Sequence, residues 1–281
     1  MNGNAAPSYK VHQITSTSNE RVKQLSSLSM AKYRRRHGQF IAEGDNVLSA
    51  ALRFGHKPST VVVEESVARQ YAQRFVPTEE LLVLNEKCMN KACDSSTPKG
   101  VAGVFPLVKE PEPAILESNQ LKVLAAFEVQ DPGNLGALLR IAAASKFDLF
   151  MPVGNCADHL SPKAVRASAG AVFAVDVLRM DIKSCLSFVK QMEVELFCAV
   201  GEGGQDFRYV PRAEKAVLLI GSEGSGIPDN VLSHGTGVSI PMREGWESLN
   251  AAVAAGILAF GMPAFAPATA ENKQSPSTSG G

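Results

Sequence analysis

Two hydrophobic rhythms alternate along this chain. Short apolar runs of strand length are separated by stretches in which apolar positions recur every three or four residues. Over the first part they predict a helix over 19–30, a strand over 39–42, a helix over 45–54 and a strand over 60–63. A further helix and strands over 81–84 and 101–107 complete a first unit, placed at 18–108. The stretch 109–119 holds two prolines and three glutamates and reads as a linker. The second unit, 120–261, opens on a continuous apolar strand over 121–127. Helices over 135–145, 163–170 and 182–192 then alternate with strands over 149–152, 171–177, 195–200, 216–221 and 238–242, and a last helix follows. Strands that are apolar throughout are buried on both faces, which implies a parallel sheet between helical layers. The polar residues 1–17 and the Ala-, Pro-, Ser-, Thr- and Gly-rich tail 262–281 are expected to be disordered.

Composition narrows this picture. With 281 residues, 45% hydrophobic and 20% charged, the chain has material for two domains with their own cores. It has no apolar run of membrane-spanning length, and its first twenty residues lack the apolar stretch of a secretory signal. The expected compartment is the cytoplasm, with an organelle such as the chloroplast or mitochondrion left open. The five cysteines are odd in number and form no C-x-x-C pair, so neither a disulfide framework nor a metal site is expected. The net charge of zero hides an asymmetry: residues 1–110 hold 15 Lys and Arg against 10 Asp and Glu. The first unit is therefore the better partner for a polyanion.

Three strand-to-helix loops carry the polar chemistry, and parallel sheets bind ligands at the carboxyl ends of their strands. The first is EVQDPGNLGALLR at 128–140, where Pro132 and Gly133 make a turn, Asn134 reads as a helix cap and Arg140 follows six residues later. The second is LLIGSEGSGIPDN at 218–230. Gly221, Gly224 and Gly226 flank Glu223 there, but Ile227 and Pro228 stand where a phosphate loop needs Lys and Ser or Thr. The third joins Ile240, Pro241 and Met242 to Ser248, Leu249 and Asn250, at the start of a helix built from Ala and Gly. Small residues there allow close approach of a backbone or ligand. The glycine run 201–204 lacks the third glycine of a dinucleotide turn, so a nicotinamide enzyme is not supported.

Asn134-Leu-Gly-Ala-Leu-Leu-Arg140, Gly221-Ser-Glu-Gly-Ser-Gly-Ile227, and Ile240-Pro-Met with Ser248-Leu-Asn250, resemble in order and spacing the three motifs of the SpoU (TrmH-like) RNA 2′-O-methyltransferases. The segment 161–170 is also similar to that family, and the resemblance covers about 121–260. Gln39-Phe-Ile-Ala-Glu-Gly44, behind Arg34, Arg35 and Arg36, is similar to the L30e-like substrate domain of many members. The resemblance implies an α/β fold: a parallel-sheet domain with a deep trefoil knot, plus a smaller N-terminal α/β L30e-like domain. The knot comes from the resemblance alone.

The resemblance further implies S-adenosylmethionine as cofactor, held by Gly221, Ile240, Met242, Ser248 and Leu249. It implies transfer of its methyl to a ribose 2′-hydroxyl, with Asn134, Arg140, Glu223 and Asn250 at the chemistry. Ribosomal RNA is favoured as substrate over transfer RNA, with a non-catalytic RNA-binding homologue as the competing reading. A guanidinium stays protonated, so Arg140 is cast as a clamp on the adjacent phosphate. Arg34, Arg35 and Arg36 are the expected RNA contacts of the first unit, and family members pair as homodimers through the second. Two departures mark this chain: Ala251 and Ala252 follow the last motif, and Arg243, Glu244 and Trp246 fill a turn that is often shorter.

Overall fold

The computed structural model describes residues 9–93, 95, 98–107, 111, 113–116, 118–245 and 248–265. The N-terminal unit contains β1 (Lys10–Ile14), α1 (Glu20–Ser27), α2 (Ala31–His37), β2 (Gln39–Glu43) and α3 (Asp45–Arg53). It continues through β3 (Thr60–Glu64), α4 (Ala68–Tyr71), β4 (Glu80–Leu84), α5 (Glu86–Ala92) and β5 (Val101–Pro106). The strands form one mixed sheet in the order β1-β4-β3-β5-β2. Alternation sorts its side chains to two sides. Ile41 and Val62 pack with Val22 and Leu25 of α1 and Cys88 and Met89 of α5. Phe40, Val61 and Val63 face the other way, into a core shared with the rest of the molecule.

After a short helix α6 (Pro113–Leu116) comes the second unit. It runs β6 (Leu121–Phe127), α7 (Pro132–Ala144), β7 (Leu149–Val153), α8 (Pro162–Ser168), β8 (Asp176–Val177), α9 (Ile182–Gln191) and β9 (Glu195–Ala199). Then follow β10 (Gln205–Asp206), β11 (Lys215–Gly221), α10 (Asp229–Leu232), β12 (Thr236–Ser239) and α11 (Ala251–Gly261). The sheet order is β10-β12-β9-β11-β6-β7-β8, and its ladder pairs are parallel. Leu121, Val123 and Ala125 of β6 meet Cys185, Phe188 and Val189 of α9 on one face. Leu124 and Ala126 meet α7 and α11 on the other.

Four expectations need correction. Residues 10–14 are not disordered: their backbone pairs in parallel with β4, and Ile14 is buried. The helix expected over 19–30 stops at Ser27, because the Arg34 guanidinium takes the carbonyls of Leu28 and Ser29 at 2.7 Å each and turns the chain into α2. The apolar run 171–177 is strand only at Asp176–Val177. Ala169 and Gly170 adopt left-handed backbone at φ 51° and 91°, and Ala171–Phe173 becomes a 3₁₀ turn. Its Phe173 ring lies 4.7 Å from Phe105 and 5.7 Å from Phe40, so this run plugs the N-terminal unit instead of extending the sheet. Finally, Met262 and Ala264–Phe265 of the expected tail are buried. Residues 1–8 and 266–281 lie outside the described residues.

The two units are clamped as well as packed. A Cβ on Gly170 would come within 2.4 Å of Ala50 on α3, which measures how closely the backbones approach. Arg166 of α8 pairs with buried Glu43 of β2 at 3.2 Å, and Arg34 pairs with Asp158 at 2.6 Å.

Candidate active site

The site forms where β6 and β11, neighbours in the sheet, reach their carboxyl ends beside the N-terminus of α11. Local sequence explains the first wall. Pro132 has no N–H to lose at the start of α7, and Asp131 caps the helix through the N–H of Asn134 at 2.9 Å. The other Asp131 oxygen accepts from Lys163 at 2.6 Å. That bond first, and the Asn134 N–H second, hold the Asp131 carboxyl below the usual carboxylate range. Asn134 is therefore not the cap that the sequence suggested. Its N–H is capped by Asp131, and its carboxamide is free to reach outward.

It reaches Glu223. Asn134 Nδ2 donates to Glu223 Oε1 at 3.1 Å, and Asn250 Nδ2 donates to the same oxygen. Asn250 also caps α11, its Oδ1 accepting from the N–H groups of Ala252 at 3.0 Å and Val253 at 3.3 Å. Two carboxamides 116 residues apart in the chain thus converge on one carboxylate oxygen. Glu223 Oε2 carries no hydrogen bond among the described residues. The loop that presents Glu223 is closed by Gly226 N–H donating to Ser222 O at 3.0 Å and by a Ser222–Ser225 hydroxyl bond at 2.8 Å.

Two cavities open on either side of this loop. One, of about 710 Å³ with its open mouth included, is lined by Gly221, Ile240, Met242, Ser248 and Leu249. These are all five residues expected to hold the cofactor. The other, of about 780 Å³ on the same measure, is lined by Glu128, Gln130, Asp131 and Asn134. Ser222, Glu223 and Ala251 line both, so the cavities share a wall. The chemistry of the first suits an adenosyl group: Ile240, Met242 and Leu249 offer apolar walls to a purine, and backbone at Gly221 can meet polar edges.

Other expected residues lie apart. Arg140 is exposed on α7 and lines neither cavity. Six residues past Asn134 it sits about 9 Å further along the axis and roughly 240° around it. Arg34 is 3% exposed, so it is an internal brace and not a free phosphate contact; Arg35 and Arg36 are exposed. Arg243 and Glu244 form an exposed turn, and Trp246 lies outside the described residues. Sequence reasoning missed Asp131, Lys163 and Glu128. An Asp directly before Pro at a helix start was the available signal for the first. Glu128, held at φ 52° at the end of β6, had none. Among the described residues, no group of three or more His, Cys, Asp or Glu converges as metal ligands do. The described cysteines are free thiols.

Comparison with known proteins places this geometry. Residues 122–260 match the model of the SpoU rRNA Methylase family, and residues 19–103 match an MRM3-like substrate binding domain. The chain is 29% identical over 255 residues to the 23S rRNA (guanosine(2553)-2′-O)-methyltransferase RlmP of Bacillus subtilis, covering 88% of this chain and 98% of that one. It is 26% identical to rRNA methyltransferase 3, mitochondrial, of Xenopus laevis, covering 82% and 70%. An AdoMet-bound rRNA methyltransferase from Sinorhizobium meliloti superposes with a TM-score of 0.78 at 30% identity, covering 89% of this chain and 96% of that one. The chain belongs to the SpoU rRNA methylase family.

Proposed function

We propose that this protein transfers the methyl group of S-adenosylmethionine to a ribose 2′-hydroxyl of ribosomal RNA. The observation that carries the reading is the wall of Ser222, Glu223 and Ala251 shared by two cavities, one suited to adenosine and one open and bordered by Glu128, Gln130, Asp131 and Asn134. When bound, S-adenosylmethionine supplies an electrophilic methyl. The chain's part is to place a hydroxyl oxygen in line with it, an alignment worth on the order of 7 kcal/mol in well-oriented systems. Asn134 and Asn250 fix Glu223 through one oxygen and leave the other to accept a hydrogen bond from the 2′-hydroxyl. A 2′-hydroxyl distinguishes RNA from DNA. The named relatives and the MRM3-like domain favour ribosomal over transfer RNA.

The decisive experiment maps 2′-O-methyl sites in total RNA with and without the protein, together with calorimetric titration of S-adenosylmethionine. A new site in rRNA is expected. A site found only in tRNA would move the substrate. No site and no binding heat would leave an RNA-binding homologue.

The assembly reading is a homodimer through α11. Val253, Ile257 and Phe260 form an exposed apolar stripe along it, 52%, 38% and 67% accessible. The stripe adjoins α7, where Ile141 Cδ1 lies 3.9 Å from the position of a Cβ on Gly256. Arg140 is therefore close to that face, and a two-fold partner would bring it toward the other subunit's site as a phosphate clamp. Phe260→Asp should convert a dimer to a monomer of 29.9 kDa in light scattering. A wild-type monomer at micromolar concentration would refute the pairing.

Three finer readings accompany this one. The N-terminal unit is of the L30e-like type, supported by its mixed α/β sheet. The C-terminal segment is threaded as a trefoil knot. In support, β12 is inserted between β10 and β9 and the chain then crosses to lay α11 on α7 and β11. A crystallographic trace that closes to an unknot would refute it. The protein works where ribosomes are made, in the cytoplasm or an organelle, and no described helix is long and apolar enough to cross a membrane. Fractionation away from ribosome-containing compartments would count against this.

A further inference from the structure

A second opening lies between the two units, of about 1350 Å³ with its mouth included. Its walls come from α2 on one side and the segments after β7 and β8 on the other; α2 brings Arg34 and Arg35, the segment after β8 brings Arg179, and the single carboxylate is Asp158. Arg34 is spent: its guanidinium serves Leu28 O, Ser29 O and Asp158. That pair cancels internally, so the charge the cleft offers is that of Arg35 and Arg179. Arg35 is exposed and has no ion pair among the described residues. Arg179 gives two of its five N–H groups to the carbonyls of Cys156 and Ala157, which fixes its plane and leaves three donors. In a chain with no net charge, two uncompensated arginines facing one cleft are a local anion site.

The cleft is joined to the active-site cavity bordered by Glu128 and Asn134. The loop after β7 is stitched to the loop after β6 by Ala157 N–H donating to Val129 O at 2.9 Å and by Glu128 N–H donating to Val153 O at 3.0 Å. Val129 lines that cavity, and the Ala157 carbonyl holds Arg179. One residue therefore links the cavity wall to the cleft's arginine. Resting on the methyltransferase reading, we propose that the interdomain cleft binds the phosphodiester backbone of the RNA strand next to the target nucleotide, with Arg35 and Arg179 as its phosphate ligands from opposite walls. A strand running from the cleft across Glu128 and Gln130 reaches Glu223. It explains why the N-terminal unit is locked to the catalytic one: a phosphate site split between two bodies is useful only if they hold one geometry.

The test is the full-length double variant Arg35→Ala/Arg179→Ala, with a labelled single-stranded RNA oligonucleotide and deproteinised rRNA as probes. Loss of two phosphate contacts should lower the log–log salt slope of RNA binding by about 1.4 and weaken binding about tenfold or more. KM for rRNA should rise while S-adenosylmethionine affinity stays at the wild-type value. The double variant should melt somewhat lower, because Arg179→Ala gives up its bonds to the Cys156 and Ala157 carbonyls, whereas Arg35→Ala alone should melt as wild type and still lower the salt slope by about 0.7. Arg35→Lys/Arg179→Lys should restore most of the slope. An unchanged slope and KM would overturn the proposal. So would an equal fall on removing two exposed arginines outside the cleft, Arg53→Ala/Arg69→Ala. The salt slope needs no turnover, so a wild-type protein that binds RNA in this way but neither binds S-adenosylmethionine nor methylates would defeat only the enzymatic reading.

Discussion

Asn250 performs two tasks with two different atoms. Its oxygen caps α11, and its nitrogen holds Glu223. Asn250→Ala removes both and should cost about 1 kcal/mol of stability along with the activity. Asn250→Asp keeps the capping oxygen but sets a second carboxylate against Glu223. It should melt near the wild-type temperature yet lose on the order of 10²-fold in single-turnover methyl transfer. Equal damage to stability and activity in the Asp variant would mean that the nitrogen matters only structurally. A second residue effect lies at the domain junction. Burial first, then Arg179 and Arg34, lower the His159 pKa from 6.5 to about 4, with Asp158 opposing. Below pH 6.5 the unfolded chain takes a proton here that the folded chain refuses until about pH 4. The contribution is complete above pH 6.5 and is lost as pH falls toward 4, on the order of 3 kcal/mol in all. Burial raises the neighbouring Asp158 carboxyl, but the hydrogen bonds from Arg34 and from the Leu160 N–H, with the Arg34 charge, outweigh it, so the net shift is downward and acts in the same direction. Chemical denaturation from pH 7 to pH 4 should show a shallower decline in His159→Gln than in wild type. Parallel curves would remove His159 from the account.

Helix α7 is the element on which the site turns. It carries Asn134 at its first turn and packs on α8 so closely that a Cβ on Gly136 would lie 2.4 Å from the carbonyl oxygen of Ala164. The glycine is needed there for approach between helices, since its backbone is ordinary helix. Gly136→Ala should force the two helices apart and cost about 1–3 kcal/mol in denaturant titrations. The same shift would move Asn134 off Glu223, so activity should fall with stability. A variant of unchanged stability would show that α8 can yield without cost. Short elements were the hardest to foresee. The α1–α2 break is made by Arg34 taking two carbonyls, an interaction between residues five and six apart that no hydrophobic period encodes.

At the scale of the molecule, the two units share one hydrophobic core. Phe40 and Phe105 from one and Phe173 from the other share a core, and the pair of Arg166 with Glu43, whose carboxylate side is 4% exposed, crosses the same junction. Calorimetric unfolding should show one transition with matching calorimetric and van't Hoff enthalpies. Two resolved transitions would show that the junction is weaker than its packing implies. Removing the N-terminal unit should therefore expose Phe173 and Val172 and yield an aggregation-prone catalytic unit, and the RNA-binding role of that unit is better tested by point variants.

The longer strands and helices of the second unit were legible in the sequence because buried parallel strands are apolar throughout and their loops are polar and glycine-rich. The short β10 and α10 were not, and the strand expected over 238–242 lies at Thr236–Ser239, ending before Ile240 and Pro241. That Gly221, Ile240, Met242, Ser248 and Leu249 would share one cavity was legible too, since they sit in short motifs at the ends of neighbouring elements. Long-range pairing was not. β1 looks polar because an edge strand needs only backbone partners. The run at 171–177 looks like a strand because burial against another unit and burial within a sheet select the same residues. Arg34 looks like its neighbours Arg35 and Arg36, and only the partner Asp158, 124 residues away, separates a brace from a surface charge. Local chemistry determined which groups the protein possesses; the tertiary structure decided which of them meet, because contact across long sequence separations depends on the path of the whole chain.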